Sequence, residues 1–170
     1  MTSEDWEIAS YIVTVFGFPL AILAYFFEQR KERQNEEEEI YQKLSDEYAD
    51  FSKVLLENAD LRLNSEEIPE EMLTEEQLER KTVIFDMLVS LFERAYILVY
   101  EDDMSKQTFR LWKSWDDYIR KWCHREDFRK ALPSLLEGED PAFENFMRQV
   151  AKENEGKHLP KTGKNQAHKV

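Results

Sequence analysis

The chain has 170 residues, with 36 Asp and Glu against 23 Lys and Arg, and its formal net charge is −13. Such an acidic chain is unsuited to general nucleic-acid binding, because contacts to phosphates need clustered Lys and Arg. The single cysteine, Cys123, excludes an intramolecular disulfide. With only four glycines and five prolines, the chain has few turn points, and long helices are expected.

The most apolar stretch is residues 8–27, which contain no charged side chain. At about 1.5 Å rise per residue, a helix of this length spans roughly 30 Å, the hydrocarbon thickness of a bilayer. A buried helix of a soluble core usually has a polar face, and a signal peptide needs a basic start, whereas this chain starts with acidic residues. We therefore predict a transmembrane helix from Ile8 to Phe27, with the lipid bilayer as its partner.

The residues that flank this stretch predict an orientation. Arg30, Lys31 and Arg33 follow it directly, while residues 1–7 contain no Lys or Arg. Positive charge prefers the cytoplasmic side of a membrane. The pattern predicts a single-pass protein of the cell (inner) membrane, with residues 1–7 outside and the C-terminal part in the cytoplasm.

One side of the predicted span carries small side chains, which favours close packing against a second copy and hence a homo-oligomer. The alternative is that the glycine of this set merely cooperates with Pro19 in a kink. The predicted association face consists of Thr14, Gly17, Ala21 and Ala24.

After the span, the pattern is helical throughout. Residues 28–152 are predicted to form a cytoplasmic all-α bundle of about four helices, and residues 153–170 a disordered polar tail. A short seam of apolar residues at three- and four-residue spacing is typical either of a helix that packs on its own domain or of a short coiled coil. The seam consists of Tyr41, Leu44, Tyr48, Phe51 and Leu55.

Two helix starts are visible in the sequence. Thr74 and Gln77 have the spacing of a capping box, and the helix after them is the most apolar part of residues 28–152, so we expect it at the centre of the core. Asp140 followed by Pro141 predicts the start of the last helix. Residues 59–74 read as an acidic connector between helices.

The helix predicted between about Ser105 and His124 is rich in aromatic residues at helical spacing. These rings carry a large apolar area, which suits either the core of the bundle or a surface that binds a partner or ligand. The sequence leaves both interpretations open for Trp112, Trp115, Tyr118 and Trp122.

No catalytic pattern is present. The neighbouring acids Asp102-Asp103 and Asp116-Asp117 point about 100° apart on a helix, so neither pair forms a carboxylate dyad. Cys123-His124 has no second ligand pair at zinc spacing, and no HExxH, P-loop or G-x-S-x-G motif occurs. We predict no enzyme activity, no catalytic or metal-binding residue and no cofactor.

The stretches RKTVIFDMLVSLFERAYILVYEDDM and RLWKSWDDYIRKW resemble small single-span bacterial membrane proteins of an uncharacterised family. The resemblance implies an N-terminal span before a cytoplasmic tryptophan-rich helical domain, and it implies no activity. The layout is also similar to the membrane-pore accessory protein of RNA-targeting CRISPR systems, whose domain is related to HEPN ribonucleases. Arg120 precedes His124 by too few residues for the HEPN signature, which argues against a ribonuclease role.

These patterns lead to two functional hypotheses. The first is a membrane-anchored helical protein that acts through interaction with an unknown protein partner, as a scaffold or accessory. The alternative is an oligomeric membrane pore-type effector.

Overall fold

The computed structural model describes residues 18–156, and within that range the chain is all-α, as predicted. It contains five α-helices and two short 3₁₀ turns, with no strand among the described residues. The helices are α1 (Phe18–Glu57), α2 (Glu75–Val99), α3 (Lys106–Cys123), α4 (Glu126–Leu135) and α5 (Pro141–Glu153), and the 3₁₀ turns are Ala59–Leu61 and Glu70–Met72.

The chain divides into two compact units, Met1–Gln42 and Lys43–Val170. The described part of the first unit is α1 up to Gln42. The described part of the second unit, residues 43–156, contains the end of α1 and the whole of α2 to α5. We call residues 43–156 the helical domain.

The predicted single-pass membrane location is wrong. None of the helices within residues 18–156 is long and apolar enough to cross a membrane. Among the described residues, the uncharged apolar run of α1 covers the ten residues from Phe18 to Phe27, about 15 Å of helix, and charged residues begin at Glu28. Residues 1–17, which include the first half of the predicted span, lie outside the described residues. The predicted orientation and the pore-type alternative depended on the same span.

Both predicted helix starts are confirmed. The Thr74 hydroxyl accepts a hydrogen bond from the backbone N–H of Gln77, and the Gln77 side chain accepts one from the backbone N–H of Thr74. At α5, the Asp140 carboxylate accepts hydrogen bonds from two backbone N–H groups of the first turn, and Pro141 occupies the first helical position. These contacts satisfy backbone donors that have no partner inside a helix.

The core of the helical domain lies around α2 and α3. Helix α2 packs against α3, α4 and α5, and α3 packs against α4 and α5. Because one apolar face of each helix is turned inward, the centre is closed to solvent. The residues with no more than 1% of their surface exposed include Phe85, Leu88, Phe92, Ile119, Phe128, Phe143 and Met147.

From Leu44 onward, the seam of α1 packs within the helical domain. Leu44, Phe51 and Leu55 are buried in the helical domain. The ring of Tyr48 stacks on Tyr118 at a centroid distance of 4.4 Å, and it meets Trp115 edge-on at 5.9 Å. The interpretation as a helix that packs on its own domain therefore accounts for this part of the seam.

The acidic connector is held to the rest of the helical domain by Arg125, a buried residue with 1% of its surface exposed. Its guanidinium donates to the backbone carbonyls of Leu63 at 3.0 Å and Ser65 at 3.2 Å. It also forms a two-pronged pair with Asp127, at 3.0 Å and 2.8 Å. One side chain thus ties the connector to the start of α4.

Lys81 completes this group of charges from α2. Its Nζ lies 3.3 Å from a carboxylate oxygen of Asp127 and 3.5 Å from one of Glu70. A charge in the interior is tolerated only when it is paired and hydrogen-bonded, and here each buried charge has such partners. We call Lys81, Glu70, Arg125 and Asp127 the Arg125 cluster.

Candidate functional site

An open cleft of about 460 Å³ lies at the C-terminal end of α2. It is formed where the last turn of α2, the loop that follows it and the start of α5 meet. We call it the tyrosine cleft, and its lining residues are Tyr96, Ile97, Tyr100, Glu101, Asp102 and Asp140.

Two stacked tyrosine rings dominate the cleft. Tyr96 lies in the last turn of α2 and Tyr100 directly follows its end, four residues on, so the two side chains lie one above the other on the same side. Their centroids are 4.6 Å apart and the ring planes differ by 12°. Trp112 of α3 supports Tyr100 edge-on at 5.2 Å, and Phe146 of α5 lies 5.3 Å from Tyr96. The rings are therefore held in place by packing within the domain.

The charge around these rings is negative. Glu101, Asp102 and Asp140 belong to the lining, which among the described residues includes no Lys or Arg. Burial, and then the neighbouring Tyr100, Asp102 and Asp140, raises the pKa of Tyr96 above its usual value. The C-terminal end of α2 adds the negative partial charge of its unpaired carbonyl groups.

A pair of carboxyl groups lies beside the cleft. The carboxylate of Glu93 accepts a hydrogen bond of 2.6 Å from the backbone N–H of Asp140. Burial raises the pKa of the adjacent Glu139 to about 7, and a hydrogen bond with Glu93 and the charges of Glu93 and Asp86 add to the effect. Like charges at close range disfavour ionisation, so Glu139 holds its proton up to near-neutral pH.

The tryptophans of α3 lie in the core. Trp112, Trp115 and Trp122 have 4%, 2% and 3% of their surface exposed, which leaves no free ring face for a partner. Tyr118 is 37% exposed, but one of its faces is covered by Tyr48. Of the four, only Trp112 touches the tyrosine cleft, through its contact with Tyr100.

The predicted basic flank and the predicted association face fall on α1. Arg30, Lys31 and Arg33 are exposed, as are Ala21 and Ala24. Thr14 and Gly17 lie outside the described residues. The apolar side chains around the two alanines are also exposed, with 42% to 71% of their surface open, and we call Phe18–Phe27 the apolar segment. Its large exposed side chains are Phe18, Leu20, Ile22, Leu23, Tyr25, Phe26 and Phe27.

The adjacent acids of α3 are engaged in salt bridges on the helix surface. Asp116 accepts from Arg120 at 2.9 Å, and Asp117 accepts from Lys113 at 2.7 Å. Within residues 18–156, no group of three or more His, Cys, Asp and Glu could hold a metal ion. These acids therefore act as helix-surface charges.

Cys123 is buried, and burial raises the pKa of its thiol to about 12. A thiol in that state is protonated at neutral pH, whereas the thiolate is the reactive form. Cys123 is therefore a packing residue of the core.

Sequence reasoning missed the tyrosine cleft and the Arg125 cluster. Neither Tyr96 nor Tyr100 is singled out by the sequence patterns, in which Asp102 stands only as one of two neighbouring acids and Asp140 only as a helix start. The i, i+4 spacing of the tyrosines was the available signal for their stacking. Nothing in the sequence pairs them with a residue about forty positions further on.

Comparison with family models, with curated proteins and with solved structures found no match to this chain. The functional argument therefore rests on the surfaces of the molecule itself.

Proposed function

We propose that this protein acts through protein–protein interaction, as a scaffold that self-associates by the apolar segment of α1 and presents the helical domain to a partner. The observation that supports this most directly is the exposure of seven large apolar side chains between Phe18 and Phe27. Contiguous apolar surface of this kind marks an interaction site in most proteins that carry it.

The arrangement of these side chains favours a second copy of the chain as the partner. They lie on all sides of the helix, because consecutive positions from Phe18 to Phe27 are exposed. A single flat contact covers one side only. Copies of the same segment supply matching apolar surface around a shared axis, as in closed symmetric oligomers. Ala21 and Ala24 are the small residues at which two helices approach most closely.

The helical domain has its own core, which includes the fully buried Leu88 and Phe92 of α2 and Ile119 of α3. Self-association through α1 therefore does not require the helical domain to open. Such an architecture presents several copies of one domain in a single assembly, which raises the effective concentration of any surface that the domain carries.

The test is the mass of the purified full-length chain, measured by light scattering during size-exclusion chromatography. We expect an oligomer for the natural sequence. Leu23→Glu combined with Phe26→Glu places two charges in the apolar segment and should give monomers. Leu56→Glu combined with Met72→Glu is the matched control, because these side chains are 75% and 74% exposed in the helical domain.

The control variant should keep the mass of the natural chain. A natural chain that stays monomeric over the whole accessible concentration range would refute self-association. The same conclusion would follow if both double variants kept the mass of an oligomeric natural chain. Circular dichroism of each variant checks that the helices have formed.

A further inference from the structure

The tyrosine cleft combines two features that bear on what it could bind. It offers stacked aromatic rings of fixed geometry, and it surrounds them with carboxylates that have no Lys or Arg among the lining residues. Its volume of about 460 Å³ is sufficient for a large side chain.

Aromatic faces attract cations, because the ring carries negative charge above and below its plane. The helical domain already shows this contact elsewhere, where Nζ of Lys81 lies 5.9 Å from the ring centre of Phe85. At the tyrosine cleft, Tyr96 and Tyr100 cover one face of each other and both line the open volume, and the lining described within residues 18–156 includes no cation.

The carboxylates of the cleft differ in how far they are engaged. Asp140 already accepts two backbone hydrogen bonds at the start of α5, at 2.9 Å and 3.0 Å. Asp102 lies exposed on the loop after α2, close enough to Tyr96 to raise the pKa of that tyrosine. Asp102 is thus better placed than Asp140 to pair with an incoming cation.

We propose that the tyrosine cleft binds an arginine side chain from a basic segment of a partner protein. A guanidinium is flat, so it stacks on a tyrosine ring and at the same time donates in pairs to a carboxylate. A lysine ammonium pairs as a point charge and stacks less well. The net charge of −13 favours a basic partner and repels nucleic acid.

The probe is the peptide acetyl-Gly-Arg-Gly-Arg-Gly-amide, titrated into the full-length chain by calorimetry. Tryptophan fluorescence gives a second readout, because Trp112 lies against Tyr100. The same peptide with citrulline in place of arginine keeps the shape and removes the charge. We expect saturable binding of the arginine peptide, weaker binding of a lysine peptide and none of the citrulline peptide.

Variants locate the binding. Tyr100→Leu removes a ring face and should weaken binding by about tenfold, whereas Tyr100→Phe keeps the face and should change it by less than about threefold. Asp102→Asn should also weaken binding. Asp46→Asn, an exposed acid on α1, changes the net charge equally and should have no effect.

Besides a failure to bind the arginine peptide, three results would overturn the proposal. Equal binding of the arginine and citrulline peptides would show that charge is not recognised. Equal losses for Asp102→Asn and Asp46→Asn would show attraction to the whole acidic chain rather than to the cleft. A tenfold gain on removing residues 157–170, which carry four lysines, would assign the cleft to the chain's own tail.

The inference is separate from self-association and fails separately. The peptide titration is repeated on the Leu23→Glu, Phe26→Glu double variant, which should bind with unchanged affinity. A monomeric natural chain that binds the peptide refutes only the scaffold proposal. An oligomeric chain that does not bind the peptide refutes only the inference about the cleft.

Discussion

The carboxylates near the two ends of α2 differ in whether basic side chains neutralise them. Near its start, Lys81 and the neighbouring Arg125 neutralise Asp127 inside the protein, and the carboxylate has only 9% of its side chain exposed. Near its end, Asp102 and Asp140 line an open cleft that includes no basic side chain from the described part of the chain. In a chain with so many acids, a carboxylate indicates a binding surface only where it does not already form ion pairs that stabilise the fold.

The largest expected loss of stability comes from a substitution in the Arg125 cluster, near the start of α2. Arg125→Met leaves Asp127 with one cation fewer and leaves the carbonyls of the connector without their donor, so unfolding should become easier by about 3–5 kcal/mol. Urea unfolding followed by circular dichroism measures the loss. Arg148→Met, which removes an exposed pair with Glu144, is the control and should cost less than about 0.5 kcal/mol. Equal losses would remove the distinction between the two ends.

A smaller effect is expected from Glu139, next to the open end. Its pKa is raised to about 7 from 4.5, so the ionised form destabilises the fold. The cost is absent well below 4.5, grows as the pH rises through the interval, and is complete above 7. Glu139→Gln should therefore stabilise the protein at about pH 8, by less than about 1 kcal/mol, and by less at about pH 5.

Thermal unfolding at the two pH values measures this difference. Glu137→Gln, an exposed acid two positions away, is the control and should give no pH-dependent gain. A gain for Glu139→Gln that is larger at the lower pH would show that the sign of the effect is wrong.

The smallest change in stability is expected at Asp102 itself. Asp102→Lys places a cation at the open end and should change the free energy of unfolding by less than about 0.5 kcal/mol, as for most exposed positions. The same substitution should abolish binding of the arginine peptide, because it supplies the missing cation from within the chain. Urea unfolding and calorimetry on one sample test both statements, and a large loss of stability would place Asp102 with the structural acids.

Local signals in the sequence were sufficient for the helices of the helical domain. The capping box of Thr74 and Gln77 and the Asp140-Pro141 start depend on residues within one helical turn, so the pattern predicts them directly. The burial of Leu88 and Phe92 followed from the apolar period of α2. The all-α fold is the sum of such local preferences.

The remaining features depend on residues that are far apart in the chain. Arg125 was not singled out, because its partners are backbone carbonyls about sixty residues away, and a carbonyl has no sequence signature. The tyrosine cleft joins the end of α2 to the start of α5 in the same way. The membrane prediction treated residues 8–27 as one run, of which residues 18–27 lie among the described residues, and no helix there is long and apolar enough to cross a membrane.

The long reach of Arg125 also bears on the order in which the protein folds. Its bonds to the carbonyls of Leu63 and Ser65 close a loop of about sixty residues, and such contacts form late because the entropy of closing the loop must be overcome first. The turn from α2 into α3 closes only a short loop. The contacts of Arg125 are therefore expected to form after the folding transition state. Their loss should speed unfolding and leave the folding rate almost unchanged.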